Sequence, residues 1–198
     1  APGEAELEGQ PIVAIVYDRH DIFDTSDPAT SSWPYRAANS LHVVTKEAFL
    51  RSVLIFEEGD PYSAAVAAET ERVLRSLGFM NPVHIRPRAV DGGVEVVVET
   101  HDQWSLELDG DFGSTGSRSE TAISVSEENF LGLGKEVGVE WESTTERNSY
   151  TLSYLDPAVL GSRWQTELVW SDTSDGYRNV IRVERPFFSL ATPLAGGG

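Results

Sequence analysis

The chain has 198 residues, 40% of them hydrophobic and 24% charged, a composition that excludes an intrinsically disordered protein. Its formal net charge is −17, with 32 acidic residues against 15 basic ones, so we exclude nucleic acid as a partner. Cysteine is absent, which excludes disulfide bonds and thiolate metal sites.

The first third of the chain begins with an acidic leader, residues 1–11, that we expect to be disordered. Residues 12–17 are a short apolar run and predict a strand. A polar loop follows, and residues 41–44 are predicted to be extended. Thr45 is then placed to cap one helix and Ser63 to cap a second, because a side-chain oxygen there accepts from the unpaired amides of the first turn.

Two strands follow the second helix. Gly78 is placed to end that helix, and residues 83–88 and 94–99 are each predicted to be a strand. The turn residues Asp91-Gly92-Gly93 between them indicate a hairpin. The predicted order over residues 12–101 is therefore β-α-α-β-β, with both helices on one face of the sheet.

Beyond residue 101 the sequence alternates between apolar and polar residues through six predicted strands. Successive side chains of a strand point to opposite faces, so each of these strands has one apolar and one polar face. The apolar face is formed by Trp104, Leu106, Leu108, Phe112, Val137, Val139, Trp141, Tyr150, Leu152, Tyr154, Trp164, Leu168, Trp170, Tyr177, Ile181 and Val183.

This alternation is typical both of a soluble antiparallel sheet and of a transmembrane β-barrel. Two features favour the barrel. Aromatic residues stand near the strand ends, as in the interfacial girdles of membrane barrels, and the opposite face carries many charges, which suits a water-filled lumen. We therefore predict an α+β fold: a β-α-α-β-β domain followed by an antiparallel all-β meander that is part of a transmembrane barrel.

Six strands are too few to close a membrane barrel, which needs about eight or more. We therefore expect the chain to be part of a longer protein, with a domain at 12–101, barrel strands at 102–190 and a tail at 191–198. An apolar face and open sheet edges would be exposed in such a fragment. We expect it to associate with itself or with lipid.

Several short motifs occur in a recognisable order. They are NSLH at 39–42, LIF at 54–56, EGDPYS at 58–63, ETERVLR at 69–75, GF at 78–79, THDQWSL at 100–106 and NFLGLGK at 129–135. In this order the motifs resemble a POTRA domain, the polypeptide-transport-associated module, followed by the first barrel strands of the BamA/TamA-type outer-membrane protein superfamily.

This resemblance implies a protein of the bacterial outer membrane that takes part in protein assembly or translocation, with its N-terminal domain in the periplasm. The implied partners are outer-membrane lipid and unfolded or secreted polypeptide clients. Clients would add a strand to the edge of the POTRA sheet, a mode of binding called β-augmentation. By the resemblance, the edge strand is the second one, around Val83 and Ile85, and Pro87 limits pairing at its end.

The sequence predicts no catalytic residue, no metal site and no cofactor. His20-Asp21 and His101-Asp102 are the candidate ligand pairs, but neighbouring residues of a strand point to opposite faces and do not chelate one ion. No nucleophile or phosphate-binding motif occurs. Two alternatives stay open: a soluble β-rich ligand-binding module that uses its tryptophans, and the membrane anchor of a fused lipolytic enzyme.

Overall fold

The structure is a computed structural model that describes residues 4–116, 118–186 and 196–197. The chain divides into two compact units, Ala1–Trp104 and Ser105–Gly198. The first unit mixes helices with a small sheet, and the second is an antiparallel meander. This confirms the predicted α+β fold.

The first unit contains helices and strands in the order helix, strand, three helices, two strands. They are α1 (Glu4–Leu7), β1 (Ile12–His20), α2 (Trp33–Leu41), α3 (Glu47–Val53), α4 (Ala64–Arg75), β2 (Met80–Val90) and β3 (Gly93–Asp102). In the sheet, β3 is central: it pairs with β1 in parallel and with β2 in antiparallel orientation. Both β1 and β2 are therefore edge strands.

The core of the first unit forms where the helices meet one face of this sheet. Alternate residues of β3, beginning with Val94, Val96 and Val98, are fully buried, and so are Leu50 of α3 and Leu74 of α4. The residues between them on β3 face the other side of the sheet, as the period of two requires. Burial of these aliphatic side chains is the main stabilising contribution in this unit.

The helices of the first unit differ from the prediction at two places. Helix α2 overlaps the end of the predicted loop, which runs from Asp18 to Pro34, and the first residue of the extended piece predicted at 41–44. It has no buried residue, and Pro34 is tolerated because it lies in the first turn. The N-cap residue of α3 is Lys46, not Thr45. Ser63 is the N-cap residue of α4, but its side chain makes no cap hydrogen bond, so the predicted capping by the hydroxyl is wrong.

The expected disordered leader, 1–11, is wrong for its described residues. Leu7 at the end of α1 is only 3% exposed. The backbone N–H of Gly9 donates to the carbonyl of Tyr62 at 2.8 Å, and the N–H of Tyr62 donates to the carbonyl of Gln10 at 2.8 Å. An apolar anchor and paired backbone groups therefore hold this segment on the first unit.

The second unit is a sheet in which each strand pairs with its neighbours in sequence. The strands are β4 (Leu106–Thr115), β5 (Arg118–Glu127), β6 (Glu136–Thr144), β7 (Asn148–Asp156), β8 (Gln165–Thr173), β9 (Gly176–Arg185) and the two-residue β10 (Gly196–Gly197), which pairs with β9. Strands β4 to β9 are the six that the sequence predicts. The rest of the predicted tail, 191–198, lies outside the described residues. Throughout the described ranges, every helix is too short or too polar to cross a lipid bilayer.

Two similar turns connect β5 to β6 and β7 to β8. Each places a leucine in the left-handed region, Leu131 with φ of 57° and Leu160 with φ of 52°, followed by a glycine with positive φ. A residue with a Cβ atom in this region costs about 1 kcal/mol or more. The side chain of Leu160 is 100% exposed, so its packing does not offset that cost.

A Leu160→Gly substitution is expected to raise the free energy of unfolding by about 0.5–1 kcal/mol, because glycine adopts positive φ without strain. Chemical unfolding of the chain in detergent micelles measures the change. Leu160→Ala is the matched control, since it removes the same exposed side chain and keeps a Cβ atom. An equal gain from both substitutions would contradict backbone strain as the cause.

Candidate functional site

The second unit has one continuous apolar face. The registers of neighbouring strands align Leu108, Val125, Val139, Leu152 and Trp170 in one row across five strands. The other apolar residues predicted for strands β4 to β9 have the same orientation. On β4 to β8, each lies an even number of residues from a member of this row, and on β9 each lies an even number of residues from the partner of Trp170. The sheet therefore brings the predicted set together.

Most of this face is exposed to solvent in the isolated chain. Leu152, at the middle of the sheet, is 47% exposed, and Ile181 is 74% exposed. Two members of the predicted set lie outside the strands: Trp104 belongs to the first unit, and Trp164 directly precedes β8. The further exposed residues of the set are Phe112, Tyr150, Leu168, Tyr177 and Val183, whereas Leu106, Val137, Trp141 and Tyr154 are half-buried.

The opposite face of the sheet is polar, and its side chains bond to one another across strands. The hydroxyl of Thr151 donates to that of Ser171 at 3.1 Å, and Arg182 forms an ion pair with Glu167. Moving polar and charged groups out of water costs free energy, so a face that carries so many of them suits water. The two faces therefore suit different surroundings, water on one side and an apolar medium on the other.

Strand β2 carries the two residues predicted for client binding. The side chains of Val83 and Ile85 are 0% and 6% exposed, so they belong to the core of the first unit. Their backbone groups point away from β3, toward the open edge of the sheet, since both residues have the orientation in which Ile85 N–H bonds outside the ladder. A client could therefore contact these two residues only through their backbone groups.

The edge of β2 is covered by side chains of α4. Glu71 Oε1 accepts from the N–H of Ile85 at 2.7 Å, and Arg75 Nη1 donates to the carbonyl of Val83 at 3.1 Å. Glu71 and Arg75 also form an ion pair at 3.2 Å. Pro87, which has the same orientation, offers no N–H. We call Glu71 and Arg75 the edge cap; the sequence shows them as a helical i, i+4 pair but not that they reach β2.

The pair His101-Asp102 is separated as the strand period predicts, whereas Asp21 lies beyond the end of β1. Asp102 points to the core, where His42 Nε2 lies 2.9 Å from its Oδ2. His101 points to the outer face of the sheet, and its ring stacks on that of His20. The sequence does not predict either contact. The contact of His20 with His101 depends on the parallel pairing of β1 with β3, and that of His42 with Asp102 depends on the position of α2.

Comparison with known proteins adds a sequence match. No protein-family profile matches the chain. Over 113 residues it is 26% identical to the outer membrane protein assembly factor BamA of Neorickettsia risticii (strain Illinois). The aligned region covers 56% of this chain and 15% of that protein. The chain thus corresponds to a small part of that relative's length.

Two solved structures are similar in fold. A crystal structure of BamA from Haemophilus ducreyi lacking POTRA domains 1-3 has a TM-score of 0.55 and 16% sequence identity, over 87% of this chain and 31% of that one. The chain has the fold of part of BamA. CdiB from Acinetobacter baumannii gives a TM-score of 0.53 and 12% identity, over 89% of this chain and 34% of that one.

Proposed function

We propose that the chain is part of a bacterial outer-membrane protein that assembles or translocates polypeptides without an enzymatic activity. Strands β4 to β9 would contribute to the wall of a barrel, and the first unit would be a POTRA-like domain in the periplasm. The observation that carries this proposal is the continuous exposed apolar face of the meander, in a chain similar to BamA in sequence and fold.

Lipid is the partner that the apolar face suits best. In a membrane barrel the outward face is apolar with aromatic girdles, and the inward face is polar and wet. The sheet has this division, with Trp170 and Tyr150 on the apolar face and Thr151 and Glu167 on the polar one. In the absence of lipid, a second copy of the chain would cover the same face, since so large an apolar patch does not stay solvated.

The first unit would bind unfolded clients by β-augmentation on β2. In this mode an extended segment bonds to the free N–H and C=O groups of an edge strand and needs no particular sequence. Strand β2 lies at an edge, which supports the proposal, but the edge cap occupies the groups that a client would use. A client therefore competes with Glu71 and Arg75.

This competition gives a test. Glu71→Ala removes the acceptor for the N–H of Ile85, so an unfolded client gains that donor without displacing a carboxylate. We expect its affinity to rise about fivefold, which corresponds to roughly one hydrogen bond of net free energy. Fluorescence anisotropy of a labelled, unfolded outer-membrane polypeptide, titrated with the 198-residue chain in detergent, measures the affinity.

The matched control is Glu69→Ala on the same helix, which breaks the ion pair of Glu69 with Arg72 and spares the edge cap. Its affinity should equal that of the unsubstituted chain. Ile85→Pro removes the same N–H. Combined with Glu71→Ala, it should abolish the gain in client affinity, provided that circular dichroism shows an intact fold. Unchanged client binding after both Glu71→Ala and Ile85→Pro would exclude β2 as the client strand.

A further inference from the structure

The outer face of the three-stranded sheet brings together two histidines and a glutamate. His20 of β1 and His101 of β3 are register partners in the parallel pairing, and their rings stack with centroids 4.2 Å apart and planes 10° apart. Glu99 precedes His101 by two residues, so its side chain points to the same face. The three side chains occupy neighbouring positions at the carboxyl ends of both strands.

Their donor atoms are close enough for one ion. One ring nitrogen of each histidine and one carboxylate oxygen of Glu99 all lie within 4.8 Å of one another. Around a tetrahedral zinc ion with bonds of about 2.1 Å, ligand atoms are about 3.4 Å apart. Small rotations of the side chains cover this difference, because all three are at least partly exposed and none is locked in the core.

Neighbouring charges orient the glutamate for this task. Arg86 Nη1 donates to Oε2 of Glu99 at 2.8 Å, while Oε1 lies 3.2 Å from Nε2 of His101 and faces the histidines. On the far side, Asp18 Oδ1 lies 3.1 Å from His20 Nε2 and is placed to orient that ring or to supply a fourth oxygen.

We propose that His20, Glu99 and His101 bind a transition-metal dication, with Zn²⁺ as the ion best matched to the donors. Two imidazole nitrogens and one carboxylate oxygen are the ligand set that zinc accepts, and a hard cation such as Mg²⁺ prefers oxygen ligands alone. The bound ion would link edge strand β1 to central strand β3. This site is independent of client binding at β2 and of the membrane face.

The test is a titration of the 198-residue chain with Zn²⁺ in detergent. Isothermal titration calorimetry and competition with a chromophoric chelator measure the binding. We expect one equivalent to bind. His20→Gln and His101→Gln should each weaken binding at least about tenfold, since even residues that only orient ligands contribute about that much. Hydrogen exchange in β1 should slow on addition of Zn²⁺, because the metal fixes this edge strand.

The matched control is His84→Gln. His84 pairs with Glu99 from β2 and faces the same side, but it does not belong to the group of three. Its substitution should leave the affinity for Zn²⁺ unchanged, and thermal unfolding without metal should be alike for all variants. Weak binding of several equivalents, or equal losses from His84→Gln and His101→Gln, would mean adventitious binding by surface histidines and would overturn the proposal.

Discussion

A Leu152→Arg substitution is expected to destabilise the chain in lipid vesicles by about 2–4 kcal/mol, the cost of placing arginine at the middle of a bilayer on the lipid face of a barrel. Leu152 lies on β7, between Val139 and Trp170 in the apolar row, and is 47% exposed in the isolated chain. Urea titration of the chain folded in phosphatidylcholine vesicles, followed by tryptophan fluorescence, measures the loss.

Thr151→Arg is the matched control, since it places the same charge on the same strand one residue away and on the polar face. The polar face is wet in a barrel, so no comparable loss is expected. In detergent-free buffer Leu152→Arg should also reduce self-association, because the apolar face loses its continuity. If both substitutions destabilise equally, or if Leu152→Arg has no effect in vesicles, the apolar face does not contact lipid.

The meander was predictable from the sequence because each of its strands has two faces in different surroundings. The alternation of apolar and polar residues, such as Val139 and Glu140, therefore predicts each strand without reference to the rest of the fold. The hairpin at Asp91-Gly92-Gly93 was predictable for a similar local reason: Gly92 adopts a φ of +90°, which its lack of a Cβ atom permits.

The parts that sequence reasoning missed depend on contacts between distant residues. Helix α2 buries no side chain, and the polar and proline residues around its start predict a loop instead. Thr45 has the residue type of a helix cap, yet its hydroxyl lies 2.9 Å from Asp102 across 57 positions of the sequence. The edge cap likewise consists of an ordinary helical ion pair, Glu71 and Arg75, whose second contact with β2 follows only from the way that α4 packs.

The client strand was only half predictable. Its place at an edge follows from the resemblance to a POTRA domain, and β2 does lie there. The burial of Val83 and Ile85 could be read from their apolar side chains, but the occupation of their backbone groups could not. Binding of clients at this strand therefore stays a prediction, and the substitutions at Glu71 and Ile85 decide it.

Asp102→Ala is expected to have the largest effect on the first unit, a loss of about 3 kcal/mol in the free energy of unfolding. The carboxylate is 3% exposed and has three partners: His42 Nε2 at 2.9 Å, the N–H of Thr45 at 2.6 Å and the hydroxyl of Thr45 at 2.9 Å. Without it, His42 and Thr45 lose these hydrogen bonds in a buried place, and the end of β3 loses its connection to the segment before α3.

Hydrogen exchange followed by mass spectrometry measures this loss locally, because peptides from β3 and α3 report the first unit separately from the meander. Asp91→Ala is the control, since Asp91 is exposed in the turn between β2 and β3 and a surface substitution there costs about 0.5 kcal/mol or less. Asp102→Asn retains an acceptor for the Thr45 N–H and should fall between the two. If the amides of β3 exchange as slowly in Asp102→Ala as in Asp91→Ala, the buried carboxylate does not hold the first unit together. Packing of Val94, Val96 and Val98 then suffices.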